Sequence, residues 1–145
     1  MKVRIVEDSF DPWAVLAEYE AEHSAAGGNI GATATFVGTM RDFNEGVAVN
    51  SMTLEYYPGM TEKHLQQIGA AIAQLHSLVD WLIVHRVGRM QPGEPIVLVA
   101  AWSAHRVEAF AACREIMEDL KAHAPFWKKE QLTDGERWVE HNTPG

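Results

Sequence analysis

The sequence predicts an α+β fold in one compact domain, with mostly antiparallel strands. Three observations carry this. Strand and helix patterns follow one another in the order β-α-β-β-α-β-β-α-β-β. The last two strands flank Asp134-Gly135, a short turn that only antiparallel neighbours allow. The chain of 145 residues is 47% hydrophobic, which suits a single domain over residues 1–145 with a core that needs no disulfides.

The elements are expected in this order. Residues 2–6 (KVRIV) read as a short strand. In "SFDPW", Asp11 is a candidate N-cap and Pro12 suits the first helical position. Trp13, Leu16 and Ala17 then recur at helical spacing. "AAGGNIGA" is a glycine-rich break, "GATATFVGTM" a strand and "RDFNEGV" a polar loop. "VAVNSMTLEYY" alternates as a strand until Pro58-Gly59 stops it. From Met60 to about Leu78 an amphipathic helix places Met60, His64, Leu65, Ile68, Ile72 and Leu75 on one stripe. "DWLIVHRVG" is a strand, "RMQPGE" a turn and "PIVLVAAWSA" a buried strand. "HRVEAFAACREIMEDLKAHA" is the clearest helix, with Val107, Phe110, Cys113, Ile116, Met117 and Leu120 at steps of three and four. "PFWKKEQL" and "ERWVE" close the chain as strands.

Composition excludes several functions. The net charge is −8 and the pI about 5.3, which argues against bulk binding to nucleic acid or anionic membrane but leaves room for a small basic pocket. The single cysteine, Cys113, forms no intrachain disulfide and lies on an apolar helical stripe, as a core residue does. There is no His-Glu-x-x-His and no Cys/His set for zinc, so no metal or cofactor is expected. "GGNIG" lacks the spacing of a nucleotide loop. His23, His76 and His141 have no partner at ligand spacing. The N-terminus lacks the apolar run of a signal peptide, and no run approaches the roughly 18 residues of a membrane span. A cytoplasmic location follows as the expectation.

Basic residues carry the chemistry that remains. Residues 104–130 hold five Lys/Arg and five Asp/Glu, neutral in a protein of −8. His105 and Arg106 stand where a strand hands over to a helix. Such a start is either an anion site or an ordinary capping loop. Lys121 near the end of that helix either complements the helix dipole or serves a site. In "PFWKKE", Phe126, Lys128 and Glu130 share one face of a strand, and Trp127 and Lys129 the other. Glu130 could be a plain ion-pair partner for Lys128. Arg41 closes "FVGTMRD" at the start of a polar loop, where functional residues concentrate. Arg106 and Lys121 are about 22 Å apart on one straight helix, so a small ligand that touches both must sit between two subunits.

The blocks "FVGTMRD", "MTLEYYPGM", "HRVGRMQPGE", "SAHRVEAF" and "LKAHAPFWKKE…GERWVE" run from about Gly31 to Glu140. Together, in this order and spacing, the chain resembles the large, catalytic subunit of molybdopterin synthase. The resemblance implies an α/β-hammerhead-type fold and a homodimer. Each end of that dimer binds a small ubiquitin-like sulfur carrier, making a heterotetramer. It implies conversion of cyclic pyranopterin monophosphate (precursor Z) to molybdopterin, with two sulfurs drawn from the carrier's C-terminal Gly-Gly thiocarboxylate. By position, Lys128 and Lys121 match the family's important lysines. Arg41, His105 and Arg106 match its anion pocket, with Thr39, Met40, Lys129 and Glu130 beside them as substrate-binding residues. Pro125 and Phe126 would shape the slot for the carrier's tail. Two other classes fit the lysines: a non-catalytic module that docks a ubiquitin-like tail, and a lysine Schiff-base enzyme.

Overall fold

A computed structural model describes residues 1–23, 28–44, 46–133 and 135–139. Asp134 of the expected turn, Glu140 at the end of the expected last strand, and His141 lie outside the described residues. The elements are β1 (Lys2–Val6), α1 (Pro12–His23), β2 (Ala32–Thr39), β3 (Phe43–Asn44), β4 (Val47–Tyr56), α2 (Met60–Leu75), β5 (Asp80–Arg86), β6 (Gly88–Met90), β7 (Pro95–Ser103), α3 (Arg106–His123), β8 (Phe126–Leu132) and β9 (Gly135–Trp138). The α+β class holds. Only the β1–β5 pair is parallel; the other strand pairs among the described residues are antiparallel.

The first sheet has the order β1-β5-β7-β2. Its central strands are covered on both faces, which is why "PIVLVAAWS" reads as one apolar run. Along β5 and β7, Trp81, Ile83, Val97, Val99 and Ala101 face the helices α2 and α3. Leu82, Val84, Leu98, Ala100 and Trp102 face α1. The second sheet runs β3-β4-β8-β9, with β6 also paired to β4. A third cluster of Met40, Val49, Met52, Leu54, Val87 and Met90 fills the space where the sheets meet.

Two short strands were not expected. β6 occupies the start of the anticipated "RMQPGE" turn, and β3 part of the polar loop. Gly88, at a φ of 83°, lets the chain leave β5 and cross to pair with β4. β3 spans only two residues, too short to show a period of two.

The helices follow their caps. The Asp11 carboxylate accepts from the Trp13 and Ala14 N–H groups at 3.0 and 3.3 Å. Asp11→Ala should therefore cost about 1 kcal/mol, seen as a lower urea midpoint at unchanged slope. The buried stripe of α1 runs through Pro12 and Tyr19, with Val15 and Leu16 half-buried. Trp13 and Ala17, expected on that stripe, are exposed, because burial of Pro12 turns the next position outward by one helical step. α2 ends at Leu75, earlier than expected. Ser77 adopts a left-handed φ of 52°, and the Leu78 N–H donates back to the Ala73 carbonyl at 2.9 Å, closing the helix. Met60 and Leu75 at its ends are exposed.

α3 buries Ala109, Ala112, Cys113, Ile116, Met117 and Leu120. Val107 and Phe110, expected in the core, are about two-thirds exposed at 69% and 68%, while Ala109 and Ala112 in the same turns are fully buried; at about 100° per residue Val107 lies opposite the buried face of α3 and Phe110 at its border. Cys113 points its Sγ towards the Val99 carbonyl at 3.9 Å, and burial pushes its thiol up to about 11.

Candidate active site

The cavity lies where α3 ends and β8 begins. The Ala124 N–H closes α3 on the Leu120 carbonyl at 3.0 Å, and Pro125 turns the chain into β8. The buried Thr61 hydroxyl donates to the Pro125 carbonyl at 3.3 Å, fixing this corner to the start of α2. β8 then pairs with β4, Leu54 opposite Lys128 and Tyr56 opposite Phe126. The Val139 N–H donates to the Lys128 carbonyl at 2.9 Å. Lys121, on the last turn of α3, and Lys128, on β8, thus meet from two elements pinned at both ends.

They meet in a cavity of two lobes. The larger, about 300 Å³, has walls from Phe36, Val37, Leu54, Ile96, Leu120 and Phe126. The smaller, about 100 Å³, has Arg41, Asn44 and Glu130 as well as Met40 and Met52 among its walls. Lys121, Lys128, Thr39, Ile96 and Val139 line both. Met40 lines the smaller lobe and is pinned by the turn after β6. Its N–H donates to the Glu94 carbonyl at 2.9 Å, and its carbonyl accepts from the Gly93 N–H at 2.8 Å. That clamp places Arg41 at the rim.

A second cation in the same half-buried space perturbs Lys121. Burial first, then the Lys128 ammonium, a hydrogen bond with Lys128, and Arg41 lower the Lys121 amine to about 7. A hydrogen bond between two amines requires one of them to act as a neutral acceptor. One amine of the pair can therefore take up a proton near neutral pH while the other stays a cation for an anionic ligand. The linkage has a definite sign. Between about 7 and 10.5 the unfolded chain binds a proton at Lys121 that the folded protein lacks, so stability rises with pH through that window. Lys121→Met should stabilise the fold against urea below pH 7, with the advantage fading towards 10.5.

The structure brings together Thr39, Met40, Arg41, Lys121, Lys128, Glu130 and Phe126. It does not bring in the other expected residues. Lys129 is on the opposite face of β8, paired with Glu136 at 2.8 Å and 5.5 Å from the Trp138 ring centroid. Pro125 is at the corner behind Phe126, engaged through its carbonyl. His105 and Arg106 are exposed at the far end of α3, with His105 beside Leu75, His76 and Val107. The suggested Lys128–Glu130 ion pair is also corrected. The buried Glu130 carboxylate takes the Arg137 Nε–H at 2.7 Å and the Asn44 side-chain amide at 2.9 Å. Partners on the adjacent strand β9 and on β3, the strand beyond β4, outcompete a neighbour two residues along the same strand.

Sequence reasoning missed Asn44, Arg137 and His85. His85 is 5% exposed and lines the larger lobe. Its ring stacks on Phe126 at 4.1 Å between centroids, and burial, with both ammonium groups, lowers it to about 3. The available signal was a lone imidazole ending the otherwise apolar run "WLIV".

These features define a small α+β domain in which two lysines from different elements line one cavity. The family described as "MoaE protein" matches residues 5–123. The molybdopterin synthase catalytic subunit of Ralstonia nicotianae is 51% identical over 138 residues, 95% of this chain and 76% of that protein. The solved structure of the molybdopterin biosynthesis MoaE protein from Burkholderia ambifaria is 46% identical, with a TM-score of 0.80 over 99% of this chain and 92% of that one. Molybdopterin synthase from Staphylococcus aureus superposes at a TM-score of 0.82 with 33% identity, over 97% of this chain and 99% of that one. The chain belongs to the MoaE family. It is a transferase of molybdenum cofactor biosynthesis, the catalytic subunit type of molybdopterin synthase.

Proposed function

We propose that residues 1–145 act as one domain that converts precursor Z to molybdopterin, with Lys128 and Lys121 as the catalytic pair. The observation that carries this is the meeting of the two lysines in the wall shared by the two lobes. The sulfur donor is the C-terminal thiocarboxylate of a small ubiquitin-like carrier. Its Gly-Gly tail, lacking side chains, suits the larger lobe beside Phe126 and the Pro125 corner. The substrate's cyclic phosphate suits the rim at Arg41, with Thr39, Met40 and Glu130 shaping the smaller lobe. Lys128 holds the thiocarboxylate anion where water is scarce and charge interactions are strong. Lys121, neutral or charged near pH 7, moves the proton.

His105 and Arg106 belong to the same proposal through a second copy. They cannot reach their own chain's lysines, about 22 Å along α3. In a two-fold homodimer they would complete the partner's site, with Lys129 at its periphery, and a carrier at each end makes a heterotetramer. The exposed Val107 and Phe110 next to them supply apolar surface for that contact. Complementation tests this. Mixed dimers of Lys128→Ala and Arg106→Ala protomers contain one intact site, so random reassembly should recover about a quarter of wild-type activity. Mixtures as inactive as their parents would confine each site to one chain.

The location proposed is the cytoplasm; no helix among the described residues is long and apolar enough to cross a membrane. The direct test mixes the protein with precursor Z and a thiocarboxylated carrier and looks for the dithiolene product by mass spectrometry. Product formation supports the reading. A stable carrier complex without product reduces the lysines to a grip on the tail.

A further inference from the structure

His85 is the titratable side chain in the cavity to which the reading above gives no task. Alternation along β5 turns Trp81, Ile83 and His85 to the same face. The first two fill the core under α2 and α3. His85, one step on, reaches the cavity wall. Its ring lies against Phe126 at an interplanar angle of 20°. Its Nδ1 is 2.8 Å from the Arg86 carbonyl oxygen. A carbonyl only accepts, so Nδ1 carries the hydrogen and Nε2 holds a lone pair. A phenyl ring would fill the volume and keep the stack; the imidazole adds an acceptor of fixed orientation.

We propose that His85 is a positioning residue for the lysine pair: its Nε2 accepts a hydrogen bond from an ammonium of the pair and holds that cation at the junction of the lobes. Charged and titratable groups face the pair from four sides. Lys121 is on α3, Lys128 and Glu130 on β8, Arg41 beyond the end of β2, and His85 on β5. Arg41 opposes a further positive charge. Glu130 is already held by Arg137 and Asn44. His85 is the neutral acceptor on the remaining wall, kept neutral by its burial and by the cations themselves. An acceptor stabilises the ammonium form, so removing it must lower the pair's titration, not raise it.

The proposal rests on the lysine pair of the synthase reading, and its test is separable from that reading. Side-chain NMR of the full chain follows the Lys121 inflection near 7 without substrate or carrier. His85→Phe keeps the ring and deletes the acceptor. The inflection should fall by about one pH unit, the size of one charge-assisted hydrogen bond. The matching limb of the activity profile should move with it, and turnover should drop about tenfold. His85→Gln, whose amide oxygen reaches the same place, should restore both in part. A folded His85→Phe protein with the inflection unmoved overturns the proposal and leaves His85 as packing. The unaltered protein gives a second measurement that does not depend on the variant folding. Long-range proton–nitrogen NMR should show the Nδ1–H tautomer across neutral pH, with the Nε2 resonance tracking the lysine titration. An Nε2–H tautomer, or an Nε2 resonance indifferent to that titration, also overturns it. Loss of product with the lysine titration intact would instead count against the synthase reading.

Discussion

Lys128→Ala should abolish dithiolene formation, by about a thousandfold or more, while the protein stays folded and still binds its carrier. The size follows from where the charge sits. A preorganised cation in a water-poor cavity contributes about two to three orders of magnitude when it contacts the developing anion, and here it is one of a coupled pair. Removing it also changes its neighbour. Lys121 loses the ammonium that, after burial, contributes most to lowering its amine. Its titration should therefore rise from about 7 towards the ordinary lysine value, so the remaining lysine becomes a poorer base at neutral pH. The folded state has little to lose, since the variant ends a repulsion between like charges. The checks are product by mass spectrometry, the carrier complex on a sizing column, and the Lys121 inflection by NMR. Lys128→Arg adds a discriminating case. It keeps the charge but cannot act as a neutral amine, so survival of activity there would assign Lys128 to anion binding alone. Activity retained in Lys128→Ala would remove the lysine from the mechanism.

Gly69→Ala should destabilise the fold by about 3 kcal/mol despite the better helix propensity of alanine. Gly69 is buried within α2 and packs directly on Trp81. A Cβ there would stand 2.3, 2.4 and 2.6 Å from three atoms of the indole ring. The ring cannot retreat, because Trp81 is fully buried on a strand covered on both faces. The substitution must lift α2 from the sheet. α2 also anchors the Pro125 corner through Thr61, so loosening should reach the cavity and lower turnover in the folded fraction. Chemical denaturation reads the first effect and a steady-state assay of folded protein the second. An unchanged denaturation midpoint would mean that the sheet and helix repack freely, contrary to the close packing described above.

Much of this architecture was legible because burial imposes simple periods. The run in β7 and the stripe in α3 are direct images of a strand covered twice and a helix covered once. The cap at Asp11 was equally readable, because it is a contact between near neighbours. The ends of the stripes misled. Val107, Phe110, Met60 and Leu75 have the chemistry of core residues, but Met60 and Leu75 stand at the two ends of α2, and Val107 and Phe110 are exposed beside the fully buried Ala109 and Ala112. Periodicity reports which way a side chain points, not whether anything stands opposite. The cavity was legible through Lys121 near the end of α3, Lys128 on β8 and Arg41 after β2, whereas Lys129, expected beside them, is on the other face of β8. The arrival of Asn44, His85 and Arg137 at or beside the cavity was not, since each comes from a different element. Glu130 shows why: its partners lie 86 residues upstream and 7 downstream, and no local pattern records the first of them.

The placement of Cys113 has a consequence for chemical traffic. A thiolate beside the path of a carrier thiocarboxylate would attack its carbonyl carbon and expel hydrosulfide, leaving the carrier as a dead-end thioester with its sulfur lost. The protein's only sulfhydryl lies in the interior of α3, with ionisation near 11, so almost none of it is nucleophilic at neutral pH. An enzyme of sulfur delivery thus keeps its own sulfur inert, and the vessel stays unreactive towards its cargo.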